Sequence, residues 1–198
     1  IMSESQQPQH TVANLRITLL DESAPVAKRT RAAFLLRQIG THEAIDALVE
    51  SMASESILIG HEAAYVLGQM RDDYCLPKLA DVLKSDNYQP VVRHEAAEAI
   101  GAIGNPEFIP LLDEYAKSDI IEISETCQIA ADRLRFIQQN PDWDSKYKSD
   151  YHCIDPAPPC DEDDVKKVKA IFLNPEETLF DRYRAMFKLR DINTTESI

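Results

Sequence analysis

Apolar positions recur along this chain in blocks. Four segments share one pattern: TRAAFLLRQI from Thr30, HEAAYVLGQM from His61, HEAAEAIGAI from His94 and QIAADRLRFI from Gln128. Each opens with two variable residues, runs through Ala-Ala, and then places apolar residues at helical spacing. The starts lie 31, 33 and 34 residues apart, a period that marks a repeat architecture. A second shared segment follows three of the copies: AIDAL from Ala44, CLPKL from Cys75 and FIPLL from Phe108. Each unit is therefore predicted to be a long helix, a turn and a second helix. Asn105 followed by Pro106 suits such a turn, because Asn caps a helix start and proline costs little at the first helical position. Leu36, Leu67, Ile100 and Leu134 fall in one column and are the predicted core stripe. A single helical hairpin cannot bury its own apolar face, whereas stacked hairpins can. The predicted fold class is all-α, an α-solenoid of helical hairpins.

The period and pattern resemble HEAT repeats. They stop near residue 139, so residues 1–139 read as an N-terminal array carrying two His-Glu dyads. Residues 140–161 are acidic and hold Pro141, Pro156, Pro158 and Pro159, which reads as a linker. Residues 162–198 read as the truncated start of a second array. There, RYRAMFKLRDI from Arg182 matches RTRAAFLLRQI from Arg29 at a shift of 153 residues, and Leu173 aligns with Leu20 at the same shift. A whole repeat array is thus duplicated. Carried forward by that shift, the copies of His61 and His94 fall near positions 214 and 247, beyond Ile198. The sequence is therefore expected to be an incomplete fragment of a duplicated array. An uncapped half-array also exposes apolar surface, which favours self-association.

The formal net charge of −13 argues against nucleic acid and anionic membrane as main partners, since both need clustered Lys and Arg. It suits a cationic substrate. Five glycines are too few for an all-β chain with many tight turns, and the apolar runs fall far short of the roughly 18 residues needed to cross a bilayer. The first ten residues, IMSESQQPQH, lack the apolar stretch of a secretion signal. Four sparse cysteines read as reduced thiols of a cytoplasmic protein. The spacing of His152, Cys153 and Cys160 fits no common zinc pattern. Phosphate-binding loops, dinucleotide fingerprints and serine-nucleophile elbows are absent from the sequence.

The candidate chemistry lies in two dyads, His61-Glu62 and His94-Glu95. The outer repeats carry Thr30-Arg31 and Gln128-Ile129 in that column. One such pair would be ordinary at a helix start, where Glu favours the positive helix end. Two in register, missing from the flanking repeats, point to a metal. Equivalent positions on stacked helices lie about 8–10 Å apart, so two imidazoles can share one ion. Mixed imidazole and carboxylate donors suit iron, manganese or zinc, and such a set leaves open positions on the metal. His61, Glu62, His94 and Glu95 are the candidate ligands. His42-Glu43 lies outside the column, beside a capping Thr41, and His10 and His152 lie in polar, solvated stretches. Arg29, Arg31 and Arg37 read as a solvated or salt-bridged face, and Tyr65 and Met70 as packing.

Duplicated HEAT-like halves, GHEAAYVLGQM from Gly60 and RHEAAEAIGAIG from Arg93 resemble deoxyhypusine hydroxylase. The resemblance runs from about residue 10 to the end. It implies a monooxygenase that uses O2 and a non-haem diiron centre to hydroxylate the deoxyhypusine side chain of translation initiation factor five-A. In that family each half supplies two His-Glu motifs, and four motifs bind two Fe2+ ions. Carried over, His61 and His94 are ligands of one iron, and Glu62 binds across to the other iron or bridges. Glu95 lies near the open coordination site, the candidate catalytic position, and orients the cationic amine. The second pair of motifs is missing from this sequence, so the resemblance implies half a metal site and little or no activity from one copy alone. The rival readings are a non-catalytic HEAT-repeat interaction scaffold and a lyase-type repeat domain, neither of which has a use for two His-Glu pairs in register.

Overall fold

The computed structural model describes residues 11–147, 151 and 153–197, and no strand occurs among them. His10 and His152 lie outside the described residues. Helical hairpins stack in two layers. Short helices α1 (Val12–Leu20), α3 (His42–Ser51), α5 (Leu76–Lys84) and α7 (Ile109–Tyr115) form one layer. Long helices α2 (Val26–Ile39), α4 (Ile57–Met70), α6 (Pro90–Ile103) and α8 (Ile121–Gln139) form the other and pack side by side in chain order. The fold is an all-α solenoid.

The predicted stripe is the core. Leu36, Leu67, Ile100 and Leu134 are fully buried, and so are the paired alanines from Ala32-Ala33 to Ala130-Ala131. Burying each stripe residue stabilises the fold by about 1.5–3 kcal/mol. The small residues decide how closely the long helices approach. A Cβ on Gly68 would sit 2.7 Å from Ala99 Cα, and one on Gly101 would sit 2.9 Å from Ala130 Cβ. Glycine therefore brings α4 against α6, and α6 against α8, at backbone contact. The caps follow the sequence. Thr41 accepts from Ala44 N at the start of α3, and Asn105 accepts from Glu107 N to open a 3-10 turn, Pro106–Phe108, ahead of α7.

An arginine clamp recurs at the base of the hairpins. Arg29, Arg93 and Arg182 each donate through Nε to a carbonyl ten residues earlier, on Leu19, Leu83 and Phe172, at 2.8, 3.0 and 3.1 Å. Each thereby ties a long helix to the end of the short helix before it. Arg29 is fully buried and ion-paired to Glu22 rather than solvated.

The described residues between 140 and 164 form a strap across the array. Trp143 in the short helix α9 (Trp143–Lys146) stacks beneath the guanidinium of Arg133, 4.6 Å from its ring centroid, and within 5.5 Å of that of Arg71. The Gln69 side-chain amide makes a two-way pair with the Ile154 backbone, at 3.0 and 2.8 Å. Ala157 is fully buried against Ile129 and Phe180. Helices α10 (Val165–Leu173) and α11 (Leu179–Ile192) then repeat the bounds of α1 and α2, shifted by 153 residues. Arg190 of α11 grips Asp155 of the strap through two bonds, at 2.8 and 2.7 Å.

Candidate metal centre

His61 and His94 occupy the same place in two helices of equal length, the fifth residue of α4 and of α6. The helices run side by side at glycine-determined spacing, so the two rings face each other, with centroids 5.8 Å apart and planes tilted by 37°. Glu95 lies between them. Its Oε2 is 3.0 Å from His61 Nε2 and 4.0 Å from His94 Nε2. His61, His94 and Glu95 offer one donor atom each, all within 4.8 Å of one another.

The four sequence candidates do not stand alike. Three converge. Glu62 lies on the other edge of the His61 ring, with Oε1 3.5 Å from Nδ1, and is not among the three clustered donors. His42 lies elsewhere, stacked flat on Tyr74 at 4.0 Å.

Burial and charge give the imidazoles opposite protonation tendencies. The hydrogen bond that His61 donates to Glu95 holds the His61 pKa above its ordinary value against the opposing effect of burial, and the charges of Glu95 and Glu62 reinforce it. Burial pushes His94 below its ordinary value, and Glu95 at the longer distance offsets this only in part. Glu95 is itself buried. One turn along α6, burial first and the charge of Glu95 second raise the Glu98 carboxyl to about 7.

Two imidazoles and one carboxylate are the donor set of open first-row metal sites, in which substrate or solvent completes the coordination. One further observation fits a cation at this point. His61 Nδ1 is buried without a hydrogen-bond partner among the described residues, so the ring's nearest polar partner is the Glu95 carboxylate at Nε2, itself one of the three donors.

Sequence reasoning missed two neighbours of the cluster. Thr126 Oγ1 on α8 lies 3.3 Å from His94 Nδ1. Thr126 stands in the column where the two preceding repeats carry Ile59 and Val92, so a polar residue at an apolar position was the available signal. Glu98 takes the place that Tyr65 holds after His61. Only packing reveals its partial burial.

Comparison with known proteins agrees with this architecture. The family model for HEAT repeats matches residues 13–91 and 59–126, together more than half of the chain. Deoxyhypusine hydroxylase from Gallus gallus is 44% identical over 181 residues, 91% of this chain and 60% of that protein. Its counterpart from Xenopus laevis is 48% identical over 187 residues, 94% of this chain and 61% of that protein. The structure of human deoxyhypusine hydroxylase in complex with glycerol superposes with a TM-score of 0.87 at 41% identity, covering 94% of this chain and 64% of that one. The chain thus spans about 60% of the length of the curated relatives it matches. It resembles deoxyhypusine hydroxylases along nine-tenths of its own length, and it belongs to the HEAT-repeat family.

Proposed function

We propose that this chain carries half of the metal site of a cytoplasmic deoxyhypusine monooxygenase, which hydroxylates the deoxyhypusine side chain of translation initiation factor five-A. The observation that carries the reading is the convergence of His61, His94 and Glu95 within 4.8 Å. The likeness to deoxyhypusine hydroxylases over 91% of the chain supports it.

On this reading His61 Nε2, His94 Nε2 and Glu95 hold one Fe2+. Iron supplies the activation of O2 that a C–H hydroxylation requires, a task no side chain performs. The rest is done by the protein. The close approach of α4 and α6 fixes the two rings, and the buried Glu95 carboxylate gives the site its negative charge. That charge, with Glu62 beside His61 and an overall −13, attracts the cationic amine of the substrate arm and orients it toward the site. Glu62, standing outside the three-donor cluster, is assigned to a second iron. One copy of residues 1–198 supplies half of the donors and turns over poorly or not at all by itself.

Anaerobic titration of the purified chain with Fe2+ tests this, together with an O2-dependent assay that follows the gain of one oxygen atom on the substrate protein. Tight Fe2+ binding that is lost in His61→Ala is the expected result. Absence of Fe2+ binding in the unsubstituted chain would leave a HEAT-repeat scaffold without catalysis, and full turnover by one copy alone would refute the half-site.

A further inference from the structure

His94 and His61 differ at the ring nitrogen that points away from Glu95. His94 Nδ1 has a hydroxyl beside it, Thr126 Oγ1 at 3.3 Å, supplied by the next long helix. His61 Nδ1 makes no such contact with the next long helix: its polar neighbour is the Glu62 carboxylate of its own helix, Oε1 at 3.5 Å, and the column that supplies Thr126 to His94 supplies the apolar Val92 at the repeat before. A metal-binding imidazole must keep the lone pair of the coordinating nitrogen free, so its proton must sit on the other nitrogen. For His94 the nitrogen facing Glu95 and His61 is Nε2, and the proton must reside on Nδ1. In the metal-free site the nearby Glu95 carboxylate pulls the other way, because it favours a proton on Nε2. A hydroxyl can accept from Nδ1–H or donate to a bare Nδ1; in the accepting role the Thr126 hydroxyl opposes that pull. Its own proton has a polar outlet, since Thr126 also lines a chamber of about 20 Å³ shared with Glu98, Arg133 and Tyr183. A chamber of that size holds about one water molecule.

We infer that Thr126 is a positioning residue of the metal centre: its hydroxyl fixes His94 in the Nδ1–H tautomer and so presents Nε2 to the ion. The inference rests on the metal reading above, but its central claim concerns the ring alone and is measurable without metal. Hydroxyl and carbonyl partners of this kind around metal-bound histidines change affinity by about 10–100-fold when removed. His61 has Val92 in that column and Glu62 beside its Nδ1 instead, so the cost of losing the hydroxyl falls on one ring.

The test compares the full chain with Thr126→Val, which keeps the shape and deletes the hydroxyl, and Thr126→Ser, which restores it. Ring-nitrogen NMR of the metal-free proteins at pH 8 reads the tautomer of each histidine, and anaerobic titration reads Fe2+ affinity. Thr126→Val is expected to move the His94 proton to Nε2, leave His61 unchanged and weaken Fe2+ binding at least about tenfold. Thr126→Ser is expected to return both values toward those of the unsubstituted chain. The inference is overturned if His94 keeps its Nδ1 proton in Thr126→Val, whatever happens to affinity. If the unsubstituted chain binds no Fe2+ while the tautomer still shifts, the metal reading fails and the role of Thr126 in orienting the ring stands.

Discussion

The dyads His61-Glu62 and His94-Glu95 are identical in sequence and in helical register, yet they sit in different surroundings. In the second, the glutamate turns between the two rings and is buried. In the first, it stays at the edge of its own ring, half-buried, beside Nδ1. The histidines diverge as well, since His61 is drawn toward the protonated form by a carboxylate and His94 toward the neutral form by burial. The cause is directional stacking. Each dyad meets the next repeat on one side and the previous repeat on the other, so Glu95 reaches back to His61 while Glu62 has no His-Glu helix before it. A repeated motif becomes an asymmetric site because the array has a direction.

The sharpest way to break the comparison is to remove the carboxylates one at a time. Glu95→Gln is expected to lower Fe2+ affinity about 100-fold, roughly 3 kcal/mol, while Glu62→Gln costs less than about tenfold for a single ion. Equal losses in the anaerobic titration would mean that both carboxylates serve the same ion.

Helix spacing comes next. Gly68→Ala and Gly101→Ala should each destabilise the fold by about 1–3 kcal/mol, because the added Cβ meets the backbone or Cβ of the facing helix. Thermal unfolding should show similar losses for the pair. Only Gly68→Ala separates α4 from α6 and so parts the two rings, so it should weaken metal binding more than Gly101→Ala, which shifts only Thr126 from His94.

The residue one turn past each histidine gives a pH contrast. A carboxyl whose folded pKa is raised stabilises the fold fully below its ordinary value of 4.5 and loses that contribution as pH climbs to about 7. Glu98→Gln should therefore match the unsubstituted metal-free chain near pH 4 and exceed it by about 1–3 kcal/mol at pH 8. Tyr65→Phe, at the equivalent position, should show no such pH dependence, since its hydroxyl is pushed above 10. Chemical denaturation at the two pH values decides it.

The smallest effect concerns the rings themselves. A raised His61 pKa adds stability that is complete below 6.5 and is lost as pH rises through the folded value. A lowered His94 pKa does the reverse, adding stability above 6.5 that is lost as pH falls through its folded value. In the metal-free chain, His61→Gln should cost more at pH 5 than at pH 8, and His94→Gln more at pH 8 than at pH 5. Each difference is on the order of 1 kcal/mol or less, and slopes of the same sign would show that the two rings share one environment.

Much of this was legible from letters alone. The Ala-Ala columns, the stripe from Leu36 to Leu134 and the match of Arg182 to Arg29 specified stacked hairpins and a duplication, because helical periodicity and burial are local consequences of side-chain type. The two dyads His61-Glu62 and His94-Glu95 stood out as candidates too, since two in register have no structural purpose in a solenoid, but their letters do not separate Glu62 from Glu95. The arginine clamp was hidden, although Arg29, Arg93 and Arg182 share its column, because the acceptor is a backbone carbonyl that carries no letter.

Sequence determined the repeat, the core and the presence of imidazole and carboxylate groups that could hold a metal, all of which follow from pattern along single helices. Only the tertiary structure decided which glutamate joins the histidines, which ring nitrogen meets Thr126, and how the strap lies across the array. Those outcomes depend on the spacing and direction of neighbouring helices, fixed by Gly68 and Gly101 at backbone contact, and one helix does not encode its distance to the next.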